Sequence, residues 1–324
     1  MPNTIAAGTA AEVVERPARA TREALGATLC ELAQAGMPVV AVDADLAGST
    51  TTAKVAKVDP KLLVDVGIAE QDMVGVAAGL SLAGRIAFTA SFAVFGTGRC
   101  YDQIRNTVCY GNLNVKVCPT HAGLSVGPDG GSHQMLEDLA LMCALPNMRV
   151  LVPADYEAAC AAVRLAAATD GPVYVRMGRA KVPQVYEPGF EMKLGGSRVL
   201  REGGDVTLVA CGVEVDEALR AAETLAGQGI EAEVIDAYSV KPLDEATIVA
   251  SARKTGRVVS CEEHNVIGGL GSRVASVLAQ QAPTPMRMVG TRDVFGTSGE
   301  FGELMAHYQC DAAAIVAAAK ELLA

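Results

Sequence analysis

Short runs that are apolar at every position alternate with stretches of helical periodicity along nearly the whole chain. A strand with no polar face must be covered on both sides, which is the condition of a parallel sheet lying between layers of helices. The first cycle is an amphipathic helix from Ala20 through Leu25, Leu29 and Leu32, closed by Gly36, and a strand from Pro38 to Asp43. The same spacing predicts strands at 62–66, 86–90, 115–118, 149–152 and 172–176, with helices over 70–82, 97–110, 134–141 and 156–168. Residues 1–17 carry no such period and read as a flexible N-terminal arm. Residues 183–204 are rich in Pro, Gly and charge and read as a linker between a first unit, 18–182, and a second, 205–324. In the second unit, strands are expected at 206–210, 233–236, 257–261 and 286–289, and helices over 214–226, 245–251, after Gly271 and over 312–323. The predicted fold is α/β, with two doubly wound domains. Ligands of such sheets collect beyond the carboxyl ends of the strands, so chemistry is to be sought in the loops that follow them.

Charge narrows the choice of ligand. Lys and Arg number 27 against 37 Asp and Glu, a net charge of −10, which argues against a nucleic-acid surface and leaves any anionic substrate to local basic sites. No window approaches 18 uninterrupted apolar residues, and the first 22 residues have no apolar core of a signal peptide, so a soluble, cytoplasmic protein without membrane contact is expected. Nine scattered cysteines with no C-x-x-C pair read as reduced, mostly buried thiols and not as a disulfide or zinc framework.

Three segments carry candidate chemistry. Val64 to Met73 joins a strand end, the Gly67 turn and a helix start bearing Glu70 and Asp72; these acids complement the helix dipole or serve a catalytic role. Phe88, Phe92 and Phe95 are three of only six phenylalanines, and they either pack a core or stack on a flat ring. Pro119 to Gln134 gathers His121, His133, Asp129 and four glycines into one loop between a strand and a helix, a composition seldom used as filler. No third ligand at a recognised spacing accompanies the two histidines, so no metal site is assigned to this chain.

Taken in order, Gly67-Ile68-x-Glu70-Gln71, Ser91-Phe92-x-x-Phe95, Tyr101-Asp102-Gln103-Ile104-Arg105 and the pattern from His121 to Gln134 resemble the C-terminal half of transketolases. The resemblance continues through Leu136-Glu137-Asp138, Val152-Pro153-Ala154-Asp155, Val175-Arg176-x-Gly178-Arg179, Lys241-Pro242-Leu243-Asp244 and Glu262-Glu263-His264, spanning about 20–324. It implies a thiamine-diphosphate pyrimidine-binding domain followed by a transketolase C-terminal domain. It places Glu70 at the ring nitrogen N1′ of the aminopyrimidine, Phe92 and Phe95 against the ring face, and Asp45 near the cofactor. A further aromatic of some members is Gly98 here, which leaves its space open or filled by Arg99 or Tyr101. The terminal phosphate of the sugar falls to Arg22, Ser49, His121 and Arg179, and the hydroxyls near the reacting carbons to Asp129 and His133.

Full-length transketolases hold the diphosphate and its metal with a Gly-Asp-Gly segment and a later Asn, and this sequence contains no Gly-Asp-Gly. The resemblance is therefore to the C-terminal subunit of a split transketolase. Thiamine diphosphate would be shared with a separate N-terminal subunit, which would bind Mg2+ or Ca2+, in an α2β2 assembly acting on sugar phosphates. Alternatives remain at this point: the β subunit of a 2-oxo acid dehydrogenase E1, a non-catalytic regulatory subunit and, as a further rival, a synthase of the 1-deoxyxylulose 5-phosphate type, normally one longer chain. The His121–Gln134 loop and the Arg22, Ser49, Arg179 set weigh against the first, since a 2-oxo acid has no distal phosphate. Retention of Glu70 and the Phe pair weighs against the second.

Overall fold

The structure, a computed structural model, describes residues 4–5 and 14–324. The arm expected over residues 1–17 lies largely outside the described residues. Twelve strands of the described residues build the two main sheets. In chain order they are β1 (Val39–Asp43), β2 (Leu63–Asp65), β3 (Ile86–Ala90), β4 (Val115–Val117), β5 (Arg149–Leu151), β6 (Val173–Val175), β7 (Arg198–Arg201), β8 (Val206–Ala210), β9 (Ala232–Asp236), β10 (Ser239–Lys241), β11 (Val258–Asn265) and β12 (Met286–Thr291).

The first sheet has the order β10-β5-β6-β4-β3-β1-β2 and is parallel except for β10, which runs antiparallel to β5. The chain leaves β1 for β2 on one side and returns to β3 on the other, so the switch point lies between β1 and β3, where Asp43 pairs with Ala90. The second sheet, β7-β9-β8-β11-β12, is parallel apart from β7 and switches between β8 and β11. Both are doubly wound α/β sheets. Every residue of β1, β3, β8 and β9 is buried, as strands covered on both faces require.

Side-chain caps fix several helix starts. The carboxylates of Asp155, Asp244 and Asp311 accept from the amides of Ala158, Thr247 and Ala314 at 2.7, 3.2 and 3.0 Å, and the helices Tyr156–Ala168, Glu245–Thr255 and Ala312–Leu323 begin there.

Three expectations need correction. The helix predicted over 97–110 is replaced by two wide π-helical stretches, Val94–Arg99 and Gln103–Cys109. Gly96 and Gly98 lower helix propensity there, and Thr97 Oγ1 donates back to the Ala93 carbonyl at 2.6 Å. The helix predicted over 134–141 starts instead at Asp138 and runs to Ala144, because Met135 is engaged in a bridge with Ala122 and the Gln134 amide reaches Thr297 O at 2.9 Å. Within the predicted linker, β7 forms an edge strand of the second sheet. Among the described residues, no helix is long and apolar enough to cross a membrane. All nine cysteines are free, and all but Cys30 are buried.

Candidate functional site

The loops after β1, β2, β3 and β4 meet at the switch point of the first sheet, and they bring most of the sequence-assigned residues together. Glu70 is the first residue of the helix Glu70–Leu82, where the exposed N–H groups of the first turn favour a negative charge. It is 3% exposed, and its Oε2 accepts from Arg99 Nη1 at 2.7 Å. Arg99 ends the first π-helical stretch and lays its guanidinium over the Phe95 ring, 4.7 Å from the centroid. At Gly98, where some members carry an aromatic, the nearest atom to an added Cβ is Met135 Cε at 3.9 Å, and Tyr101 packs, partly buried, against the core cluster that includes residues of β1 and β3.

The rings continue the row. Phe95 and Phe92 stack with centroids 6.3 Å apart, Phe92 stacks on His121 at 3.8 Å, and the His133 ring meets Phe95 edge-on at 5.4 Å. Phe92 is therefore shared between the carboxylate end and a basic end. Burial, followed by the nearby charges of Arg22, Arg179 and His133, pushes the His121 imidazole down to about 3, so it is neutral near pH 7. Its Nδ1 lies 2.7 Å from Thr120 Oγ1. Burial and the neighbouring Arg179 likewise lower the Arg22 guanidinium from its ordinary value. Arg22 Nη1 donates to the Ser49 carbonyl at 2.8 Å, Arg22 Nε is buried without a partner, and Arg179 Nη1 donates to Val126 O at 2.5 Å. Two guanidinium groups beside a neutral imidazole form a site suited to an anion.

Two assigned residues stand apart. Asp129 is exposed at the end of the 3-10 turn Leu124–Asp129 and, among the described residues, contributes no hydrogen bond to the ring cluster. Asp45 is exposed with φ 62°; its amide donates to Asp65 Oδ1 at 3.0 Å while its carboxylate faces solvent at the mouth of the switch point.

Asp43 escaped the sequence reading, whereas Glu263 belongs to the motif Glu262-Glu263-His264 already singled out. Buried Asp43 accepts from Thr50 Oγ1 at 2.7 Å, Thr52 Oγ1 at 2.8 Å and Leu46 N at 2.7 Å, and so shapes the loop that carries Ser49. The run Ser49-Thr50-Thr51-Thr52 after a strand ending in Asp was the available signal. Glu263, from the second domain, accepts from Ser125 N and Ser125 Oγ beneath the His121–Gln134 loop. Gly123 makes this approach possible: its φ is +81°, and a Cβ there would lie 2.3 Å from the Glu263 carboxyl carbon.

Residues 18–184 match the family described as transketolase, pyrimidine binding domain, and residues 195–315 match transketolase, C-terminal domain. The chain belongs to the transketolase family. It is 45% identical over 297 residues to a putative transketolase C-terminal section of Methanocaldococcus jannaschii, an alignment covering 91% of this chain and 93% of the relative. It is 44% identical to a 6-deoxy-6-sulfo-D-fructose transketolase subunit of a Clostridium species, covering 91% of each. Among solved structures it resembles a split gene transketolase described as an inactive beta4 tetramer, with a TM-score of 0.87, 48% identity, and coverage of 95% of this chain and 99% of that one.

Thiamine diphosphate is the cofactor this transketolase fold implies. A buried carboxylate paired with a cationic donor, beside stacked phenyl rings, fits the aminopyrimidine half: it offers an acceptor for a ring N–H and an apolar face for a flat ring. For the diphosphate half, no group of three or more His, Cys, Asp or Glu among the described residues could hold a metal ion.

Proposed function

We propose that this chain is the C-terminal subunit of a two-chain transketolase that moves a two-carbon ketol unit from a ketose phosphate to an aldose phosphate in the cytoplasm. A separate N-terminal subunit holds the diphosphate of thiamine diphosphate and its Mg2+ or Ca2+, and the two chains form an α2β2 assembly. The pyrimidine-binding domain is residues 18–182 and the C-terminal domain 205–324. The observation that carries this reading is the row from Glu70 through Arg99, Phe95 and Phe92 to His121, with Arg22 and Arg179 close enough to act on the His121 ring electrostatically. One end suits a heteroaromatic base and the other an anion, the two ends that a cofactor and a sugar phosphate would present to a single site. Relatives of this chain's own length that are described as transketolase sections support the two-chain part of the reading.

When bound, thiamine diphosphate supplies the nucleophilic carbon that amino-acid side chains lack. Glu70 would hold a proton against the aminopyrimidine ring nitrogen, and its burial keeps out water that would compete for that contact. Phe92 and Phe95 hold the ring face, worth about 0.5 to 1.5 kcal/mol beyond burial. Asp45, exposed at the mouth of the switch point, would border the cofactor there. Arg22, Arg179, His121 and Ser49 bind the terminal anion; His121 enters neutral and donates through one ring nitrogen. Asp129 and His133 read the hydroxyls near the reacting carbons, with His133 passing protons.

A variant of the anion end tests the substrate class. Arg179→Ala removes one charge-assisted contact of about 1.5 to 3 kcal/mol, which is roughly 10- to 150-fold. The expected result is a raised KM for a phosphorylated ketose with a smaller change in kcat, while hydroxypyruvate, which has no distal phosphate, is little affected. Equal damage to both donors would contradict the assignment of Arg179. Efficient use of pyruvate by the wild-type assembly would favour the dehydrogenase β subunit.

A further inference from the structure

We infer that Arg99 is a resident placeholder for the aminopyrimidine: it occupies the Glu70 carboxylate and the Phe95 face until the cofactor displaces it. The inference rests on the transketolase reading of the Glu70 pocket and adds an occupant to that pocket.

The geometry makes the two occupants mutually exclusive. An aminopyrimidine ring needs a hydrogen bond with the Glu70 carboxylate and an apolar face to stack on. Arg99 already makes both contacts, donating to Oε2 at 2.7 Å and lying 4.7 Å over the Phe95 ring. A guanidinium is planar and rich in N–H donors, so it copies the ring's shape and part of its hydrogen-bonding edge. The remaining contacts at Phe95, those of Phe92 and His133, come from elsewhere on the ring cluster.

The setting also allows departure. The Arg99 side chain is 48% exposed while that of Glu70 is 3% exposed, so the arginine can swing into water at little cost whereas the carboxylate cannot. Arg99 closes a π-helical stretch, a local widening of the helix that is frequent at functional sites, and the exposed Gly98 before it leaves room for the swing. An unpaired buried carboxylate is costly, so a counterion keeps the empty half-site folded and charged before cofactor and partner arrive. Because the same pair must break on binding, it also opposes the cofactor.

The test measures thiamine diphosphate binding to the wild-type two-subunit complex and to complexes carrying Arg99→Ala, Arg99→Gln or Arg99→Lys, by calorimetry with the metal present and no sugar added. A placeholder predicts that Arg99→Ala and Arg99→Gln tighten binding, with Kd lower by on the order of tenfold, the scale of one partly exposed ion pair to a buried carboxylate. Arg99→Lys, which keeps the charge but not the planar face on Phe95, should fall between the wild type and the neutral variants. The isolated Arg99→Ala chain should melt lower than the isolated wild type, because Glu70 has lost its counterion. Unchanged or weaker cofactor binding by both neutral variants would overturn the placeholder and make Arg99 a support of the bound ring. A wild-type complex that binds no thiamine diphosphate at all would overturn the transketolase reading itself.

Discussion

In the proposed function the role of Glu70 comes from its place more than its residue type: a helix start, 3% exposure and a neighbouring ring pair suit this acid to partner a base. Glu70→Ala should keep the fold, since the caps and core of its domain lie elsewhere, yet lower turnover of the assembled enzyme by about 100- to 10,000-fold, the usual range for a proton-transfer group. Steady-state rates at saturating thiamine diphosphate check this, with circular dichroism confirming the fold; rates near those of the wild type would remove Glu70 from the mechanism. Glu70, Phe92, Phe95, His121 and Arg179 were legible because each sits in a motif after a strand. Glu263 was legible as a stabilising residue but its partner Ser125, 138 residues away, was not, nor was the engagement of Arg99 with Glu70, which depends on a π turn that no apolar period announces.

Among the elements, the most regular were the most readable. Glu70–Leu82, Tyr156–Ala168, Glu214–Ala226 and Ala312–Leu323 follow the predicted helix bounds, while the π stretches and β7 differ because glycines and long-range pairing override local pattern. The segment between the domains is also tied down. Tyr186 donates to Asp236 Oδ2 at 2.7 Å at the end of β9, and Asp236 Oδ1 is buried without a partner. Burial pushes the Asp236 carboxyl up to about 8. Since its folded value lies above that of the unfolded chain, near 3.9, the folded state holds the proton longer, and this group's contribution to stability is lost as pH rises from about 4 to 8. Asp236→Asn, similar in shape and uncharged, should therefore raise Tm relative to the wild type increasingly with pH, with the gain levelling off above about 8. Melting curves from pH 5 to 9 measure it; a gain that is constant or shrinks with pH would contradict the assignment.

The whole molecule is joined beneath the site by a buried ionic network. Arg176, just after β6, donates to both carboxylate oxygens of Asp138 at 2.8 and 3.2 Å and to the Glu263 carbonyl at 2.9 Å, while Tyr174 donates to Asp138 at 2.5 Å. Burial works against ionising Asp138, yet Arg176 and His264 hold its carboxyl below the usual range; burial also pushes Glu262 and Glu263 up to about 7. The second domain thus braces the His121–Gln134 loop from below through Glu263. Arg176→Ala would leave a fully buried Asp138 without its counterion, at a cost of about 3 to 5 kcal/mol. Calorimetry should show Tm lower by roughly 5 to 10 °C, and an unchanged Tm would mean that the network is dispensable. Two doubly wound domains were legible in the alternation of strands and helices. The attachment of β10, Ser239–Lys241, to the sheet of the first domain was not, since a three-residue antiparallel edge strand carries no period of its own.

The central claim, a half-site completed by another chain, is tested most directly by reconstitution. The purified chain, its separately purified N-terminal subunit and an equimolar mixture are assayed for ketol transfer between a ketose phosphate and an aldose phosphate, with and without thiamine diphosphate and Mg2+. Activity is expected only in the mixture and only with cofactor and metal; robust cofactor-dependent transfer by this chain alone, free of contaminating transketolase, would contradict a half-site.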